Sequence, residues 1–302
     1  MHSPRRDGPV ALALILALLL SSCGIFSVLL FRKKKLSRNG KPVTAKQTLL
    51  VASRDELVGR IGKIYDAIHS FQMTVDMTPS IGSVYKGEIN EIPDVKAFVL
   101  FRKPADIRIQ AQLPVVRTQA FDMVSNGTEF KFYLNNKNIF FEGANDAPAT
   151  SKNQYENLRP EAFLSSMLVR PPAADESPLL TDLTDSDNAL YILHFILKLP
   201  NGELRASRQI WFDRLDLTIV RQMVFAASGA IISDARYNKW QIYNGVAFPA
   251  HIDLSRPIEA WGVVMDIEQM QMNKELTDDQ FVLARPEGSQ LQVIGAPKQE
   301  SH

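Results

Sequence analysis

The chain of 302 residues has a single cysteine, Cys23. One cysteine excludes an intramolecular disulfide and any metal site built from several cysteines. The motifs of zinc proteases and of serine hydrolases do not occur, and the histidines are scattered over His2, His69, His194, His251 and His302. An excess of charge is also missing, because 34 Lys and Arg balance 33 Asp and Glu. The sequence therefore indicates no enzyme, no metal or other cofactor, and no nucleic-acid partner.

The N-terminus combines a basic start, a short apolar run and small residues before the cysteine. Arg5 and Arg6 precede the apolar residues 10–20, and Leu20-Ser21-Ser22-Cys23 follows. This order is typical of a secretory signal peptide. Leu-Ser-Ser-Cys also resembles the lipobox of bacterial lipoproteins, which implies cleavage before Cys23 and acylation of its thiol. We therefore predict a signal peptide over 1–22 and lipid attachment at Cys23.

A membrane-spanning helix is the alternative for the same segment. Residues 9–31 carry no charge and are long enough to cross a bilayer. More basic residues follow this stretch than precede it, so an uncleaved helix would leave the body of the chain in the cytoplasm. In proteobacterial lipoproteins an Asp after the cysteine retains the protein in the inner membrane. Gly24 stands there instead, so the resemblance implies the outer membrane rather than the inner one.

The segment 23–47 is a predicted basic tether. No acidic residue lies between Cys23 and Asp55, whereas Lys and Arg are frequent there. A basic side chain near an anionic lipid surface contributes about 1 kcal/mol. The tether therefore either lies on the membrane or is a solvated linker, and the sequence leaves both open.

The body of the chain begins with a helix and continues with strands. Ser53 and Glu56 form a capping box, and the apolar residues that follow are spaced for an amphipathic helix of about four turns. Alternation with a period of two then predicts about eleven short antiparallel strands. A second helix is expected over about 160–169, a loop over 171–188 and a loosely ordered tail after Gly288. The predicted fold class is α+β, with a curved antiparallel sheet that wraps the helices and no second domain.

The order of several segments resembles the LolA/LolB-like family of bacterial lipoprotein carriers and receptors. These segments are 103–109, 125–127, 130–133, 209–213, 219–222 and 276–281. The resemblance covers roughly 50–285. It implies an unclosed half β-barrel over 48–285, a tail over 286–302, and lid helices above an apolar concave face that holds acyl chains.

Apolar residues of the first predicted strands are the candidates for lining such a cavity. They are Val99, Phe101, Ile107, Ile109, Phe121, Met123, Phe130 and Phe132. The alternative for each is an ordinary core residue, which is the more common role of such a side chain. The turn Leu113-Pro114-Val115-Val116 is a second candidate site, because LolB-type receptors insert an apolar loop at the matching place into lipid. That family often has Leu-Gly where this chain has Val115 and Val116, and a tip folded over the barrel mouth is the alternative.

The sequence thus predicts a monomeric, membrane-anchored lipoprotein that faces the periplasm. It would bind membrane lipids or the acyl chains of lipoproteins and take part in their traffic to the outer membrane. The alternative is a structural or sensor lipoprotein of the cell envelope whose concave face is filled by its own side chains.

Overall fold

The computed structural model describes residues 48–83, 88–115, 117–148, 151 and 153–295. The predicted signal peptide 1–22, Cys23, the tether 23–47, the alternative span 9–31 and Val116 lie outside the described residues. All described residues belong to one compact unit, Pro42–His302. Within these ranges no helix combines the length and the apolar character needed to cross a membrane.

Helix α1, Arg54–Ala67, begins as the sequence predicts. The Ser53 hydroxyl accepts a hydrogen bond from the Glu56 N–H, and the Glu56 carboxylate accepts one of 2.6 Å from the Ser53 N–H. Together these two bonds satisfy donors that a helix start otherwise leaves free. Leu57 and Ile61 are fully buried on the core side of the helix. The capping box and the helical spacing are therefore confirmed.

A single sheet of fifteen strands forms most of the described chain. The strands are β1 Ser70–Ser83, β2 Glu88–Glu91, β3 Val95–Arg102, β4 Asp106–Gln112, β5 Gln119–Ser125, β6 Glu129–Leu134, β7 Ile139–Ala144, β8 Glu176–Thr184, β9 Ala189–Lys198, β10 Leu204–Asp213, β11 Ile219–Phe225, β12 Ile231–Tyr243, β13 Val246–Arg256, β14 Trp261–Met272 and β15 Gln290–Ile294. Their order is β15-β7-β6-β5-β4-β3-β1-β14-β13-β12-β11-β10-β9-β8, with β2 paired to β1. Neighbours are antiparallel except β15 and β7.

The two end strands, β15 and β8, do not pair with each other in the described chain, so the sheet remains unclosed. Helix α1 and the short helix α2, Pro160–Met167, both pack on its inner apolar face, because their buried residues share one core with the strands. The predicted α+β half-barrel with helices is therefore confirmed. The segment after β14 crosses the outer face, where Leu283 packs on Val124 and Phe140.

Strands β3 and β4 show how the sequence directs side chains to each face. Val99 and Phe101 alternate with polar or half-exposed neighbours and are fully buried. In the register of the sheet, Val99 lies opposite Ile109 and Phe101 lies opposite Ile107. Successive side chains of a strand point to opposite faces. The register between β3 and β4 therefore places all of their apolar side chains in this alternation on the inner face.

Two local predictions are wrong. The loop expected over 171–188 contains β8, and the tail expected after Gly288 contains β15, so the half-barrel extends beyond residue 285 and has more strands than about eleven. Both are edge strands with one neighbour each. An edge strand needs few buried side chains, and β8 has polar or exposed residues at most positions. Its composition therefore looks like that of a loop.

Candidate functional site

An apolar pocket lies under the sheet, between α2, the 3-10 turn Gln154–Asn157 and strands β1, β5 and β14. Its volume is about 80 Å³, and it is partly open to solvent. The lining residues are Met77, Pro79, Ser80, Ile81, Ile92, Phe121, Met123, Gln154, Tyr155, Leu158, Phe163, Trp261, Gly262 and Val263. Nearly all are apolar, so the pocket suits a hydrocarbon better than a polar ligand.

Helix α2 forms one wall and is fixed to the sheet by two polar contacts. The buried Tyr237 hydroxyl donates a hydrogen bond of 2.8 Å to the Ser166 carbonyl oxygen. The Gln222 side-chain amide donates one of 2.9 Å to the Ser165 carbonyl oxygen. These bonds satisfy carbonyl groups at the end of α2, which has no intrahelical partners for them. Burial raises the pKa of Tyr237, so the hydroxyl stays a neutral donor at physiological pH.

Trp261 of β14 is another lining residue, and a buried ion pair orients it. Its indole N–H donates a hydrogen bond of 2.8 Å to the Glu259 carboxylate. The Arg256 guanidinium donates two further bonds to the same carboxylate. Because Glu259 is only 8% exposed, its charge needs these partners to be tolerated there. These bonds fix the orientation of the indole ring, which is part of the pocket lining.

The eight residues predicted to line a cavity come together on the inner face, but only two of them reach this pocket. Phe121 and Met123 line it, whereas the other six are packed in the core. Phe101 contacts Phe71 with ring centroids 5.0 Å apart, and Phe132 stacks on Phe141 at 5.3 Å. Over this part of the sheet, the protein's own aromatic side chains fill the space below the strands.

The sequence does not indicate the remaining walls of the pocket. Phe163 and Leu158 come from the segment around α2, and Trp261 and Val263 come from β14. The alternation of Trp261, Val263 and Met265 with less buried neighbours identifies the inner face of β14. That signal shows that Val263 points inward, but it does not show that α2 leaves a gap beside it.

The predicted membrane-contact turn connects β4 and β5. The Leu113 N–H donates to the Thr118 carbonyl oxygen, and the Arg117 N–H donates to the Leu113 carbonyl oxygen, each at 2.9 Å. These bonds close a tight loop. Val115 at its tip is 92% exposed and Leu113 is 36% exposed. The Val115 side chain thus projects into solvent and does not fold over the inner face.

Two cations flank the 3-10 turn that borders the pocket. The Lys137 ammonium lies 4.7 Å from the centroid of the Tyr155 ring. The Arg159 guanidinium lies 4.6 Å from the Phe130 ring and donates to the carbonyl oxygens of Glu156, Leu158 and Ala147. Burial lowers the pKa of Arg159, and the charge of Glu259 opposes this effect.

The pocket lining is apolar, and two positively charged side chains, Lys137 and Arg159, lie beside it. Across the described ranges, no group of three or more His, Cys, Asp and Glu side chains is placed to hold a metal ion. A pocket with this lining can shelter a hydrocarbon ligand from water.

Comparison with known proteins relates this chain to others by fold. No family model matches the sequence, and no curated protein matches it. A solved DUF1329 family protein from Desulfovibrio piger is 14% identical, with 75% of this chain and 94% of that chain covered and a TM-score of 0.50. At this level of identity the likeness shows a shared fold.

Two further solved structures are similar. A LolA superfamily protein from Nitrosomonas europaea is 13% identical, with 77% of this chain and 99% of that chain covered at a TM-score of 0.49. A putative outer membrane lipoprotein-sorting protein domain from Vibrio parahaemolyticus is 11% identical, with 75% and 94% covered at a TM-score of 0.46.

Proposed function

We propose that this chain, whose fold is LolA/LolB-like, is a lipid-anchored protein of the bacterial envelope that binds an acyl chain in its apolar pocket. The observation that carries the proposal is the gap between α2 and the sheet, walled by Phe121, Met123, Phe163 and Trp261. Each methylene group transferred from water into such a site gains about 0.8 kcal/mol. A lipid tail that leaves a membrane needs this kind of shelter.

The size of the pocket limits the cargo. Ligand pockets in proteins are commonly about 300–1,000 Å³. A pocket of about 80 Å³ therefore takes a segment of one hydrocarbon chain and not several chains together. The ligand would be a single-chain lipid or one acyl chain of a lipoprotein.

The anchor and the location are proposed from the sequence. Acylation of Cys23 would attach the mature N-terminus to a membrane, with the outer membrane favoured by Gly24. The basic tether 23–47 would then lie near lipid headgroups. The exposed Val115 supports a second contact, in which the loop between β4 and β5 touches the membrane and the chain receives or delivers lipid there. The protein would act as a monomer in lipid or lipoprotein traffic.

A structural or sensor lipoprotein is the second candidate, and one observation favours it. Large side chains fill most of the inner face, and those that are almost completely buried include Phe71, Phe101, Phe130, Phe132, Phe141, Phe195, Phe212 and Phe248. A core filled in this way suits a structural role of the protein as well as a carrier role. Lipid binding by the purified protein separates the two candidates.

The test combines native ligands with a matched pair of variants. The chain without its signal peptide is purified, extracted with organic solvent and examined for lipid by mass spectrometry. Binding of the neutral fluorescent probe N-phenyl-1-naphthylamine is then measured for Val263→Phe and Val264→Phe. Val263 lines the pocket, whereas Val264 is the next residue of β14 and points to the other face.

The proposal predicts recovered lipid, and a loss of probe affinity of about tenfold in Val263→Phe alone. An extract without lipid, together with no saturable probe binding by the parent protein, would contradict acyl-chain binding and favour the filled-core candidate. Thermal unfolding of both variants shows whether each retains the parent fold.

A further inference from the structure

Lys137 places a positive charge beside the pocket wall. It ends the 3-10 turn Asn135–Lys137 between β6 and β7 and is exposed to solvent. Its ammonium lies over the ring of Tyr155, and that ring is part of the pocket lining. In the part of the chain that the structure describes, no carboxylate lies within ion-pair distance of Lys137. The ammonium is therefore free to meet an anion from outside the chain.

Other charges near the pocket reinforce this positive character. Arg159 follows the lining residue Leu158 and is 5% exposed, and its Nε–H has no hydrogen-bond acceptor among the described residues. Its three acceptors are main-chain carbonyl oxygens, which carry no net charge. Arg159 is thus a second cation that the neighbouring side chains do not neutralise by direct contact.

The nearby carboxylates are already engaged. Glu259 accepts hydrogen bonds from Arg256 and Trp261. Glu156 accepts a bond of 3.0 Å from the Asn153 side-chain amide. Arg256 and Glu259 therefore offset each other, whereas Lys137 and Arg159 have no ion-pair partner among the described residues. The imbalance favours a ligand with a negative charge.

We infer that the occupant of the pocket is a single-chain amphiphile with an anionic headgroup, whose tail enters the pocket while its charge lies at Lys137. A fatty acid and a lysophospholipid with an anionic headgroup share this chemistry. The inference rests on the proposed acyl-chain binding and adds the ligand class. Because Lys137 is exposed, the expected preference is modest, about two- to five-fold, as for other surface ion pairs.

The test compares ligands that share one tail and differ in charge. Palmitate, palmitoyl lysophosphatidylglycerol and the zwitterionic palmitoyl lysophosphatidylcholine each displace N-phenyl-1-naphthylamine from the chain without its signal peptide, below their micelle concentrations. The variants are Lys137→Gln and, as the matched control, Lys131→Gln. Lys131 is an exposed residue of β6 that lines a depression on the outer face.

The inference predicts that at least one anionic ligand binds about two- to five-fold more tightly than lysophosphatidylcholine. The preference is lost in Lys137→Gln, retained in Lys131→Gln and weakened by about 0.5 M salt, where exposed charges are screened. The two anionic ligands show whether a carboxylate or a phosphate is preferred. Equal affinities for all three lipids, or a preference that survives Lys137→Gln, overturn this inference alone. Failure of every lipid to displace the probe overturns the proposed function as well.

Discussion

Phe163 of α2 stacks on Trp261 of β14, with ring centroids 5.3 Å apart and planes tilted by 25°. Both rings are buried, and both line the apolar pocket. An aromatic pair of this kind contributes about 0.5–1.5 kcal/mol beyond the area that it buries. The contact therefore joins the helix to the sheet, and the stacked pair forms a continuous part of the pocket wall.

Truncation of one ring should enlarge the pocket. Phe163→Ala is expected to lower the free energy of unfolding by about 3–5 kcal/mol, because a large buried side chain is lost and a cavity remains. The same cavity should tighten the binding of N-phenyl-1-naphthylamine. Urea unfolding and probe titration measure the two effects. Phe98→Ala is the control, since Phe98 is 39% exposed on β3. A folded Phe163→Ala protein with unchanged probe affinity would place the binding site elsewhere.

A buried ion pair should make stability depend on acid pH. Glu176 accepts hydrogen bonds from Arg208, Ser207 and the Ala173 N–H. Burial opposes ionisation of this carboxyl, but these bonds outweigh it and hold the pKa of Glu176 below its ordinary value. The stabilisation is therefore present above the unfolded-state pKa of about 4.3 and is lost as the pH falls through the folded-state value.

Replacement of Glu176 by Gln should remove this pH dependence. At pH 7 the variant is expected to lose about 3 kcal/mol, because Arg208 is left without its buried partner. Below about pH 4.3 the difference should begin to shrink, and it should vanish only as the pH falls through the lowered folded-state pKa of Glu176, where the wild-type carboxyl becomes protonated too. Urea unfolding between pH 3 and pH 7 measures the difference, with the exposed Glu203→Gln as control. A difference that is the same at both ends of this range would refute the account of Glu176.

The exposed turn offers a test of membrane contact. Val115→Asp should leave stability unchanged within about 0.5 kcal/mol, because its side chain packs on nothing. If the turn enters lipid, the variant forfeits about 1.5–3 kcal/mol of apolar burial, which lowers binding to vesicles about tenfold or more. Flotation of the unacylated mature chain with vesicles that contain phosphatidylglycerol measures this. Leu204→Asp, at a site that is 68% exposed, is the control. Equal flotation of both variants and the parent would exclude insertion by the turn.

Acylation can be examined independently of the fold. Cys23→Ala should abolish incorporation of radiolabelled palmitate and leave the precursor uncut. The parent chain should incorporate the label and lose residues 1–22. Unlabelled parent protein that keeps its first residues would instead support the membrane span over 9–31.

Local physics made much of the fold predictable from sequence. Ser53 and Glu56 encode the start of α1, since a capping box needs only residues that are neighbours in the chain. Alternation also predicts that Val99, Ile107 and Met123 share the buried face, because it depends only on the pleat of each strand, and all three lie in the one core.

Features that depend on distant contacts were not predictable in this way. Strand β15 pairs in parallel with β7, and no local pattern near Gln290–Ile294 reveals a partner so far away in sequence. Similarly, Phe101 and Phe121 both point inward, yet Phe101 is packed against Phe71 while Phe121 borders a pocket. The position of α2 on the inner face of the sheet decides between these outcomes, and that position depends on long-range contacts such as Tyr237 with Ser166.

The most direct test of acyl-chain binding is to locate a bromine-labelled acyl chain in the protein. Crystals of the chain without its signal peptide would be grown with a fatty acid that carries bromine at its terminal carbon, and the bromine would be found by anomalous diffraction. The account predicts a single bromine peak in the pocket, in contact with Met123, Trp261 or Val263. A saturated crystal whose pocket is empty, or whose bromine lies away from these side chains, would contradict it.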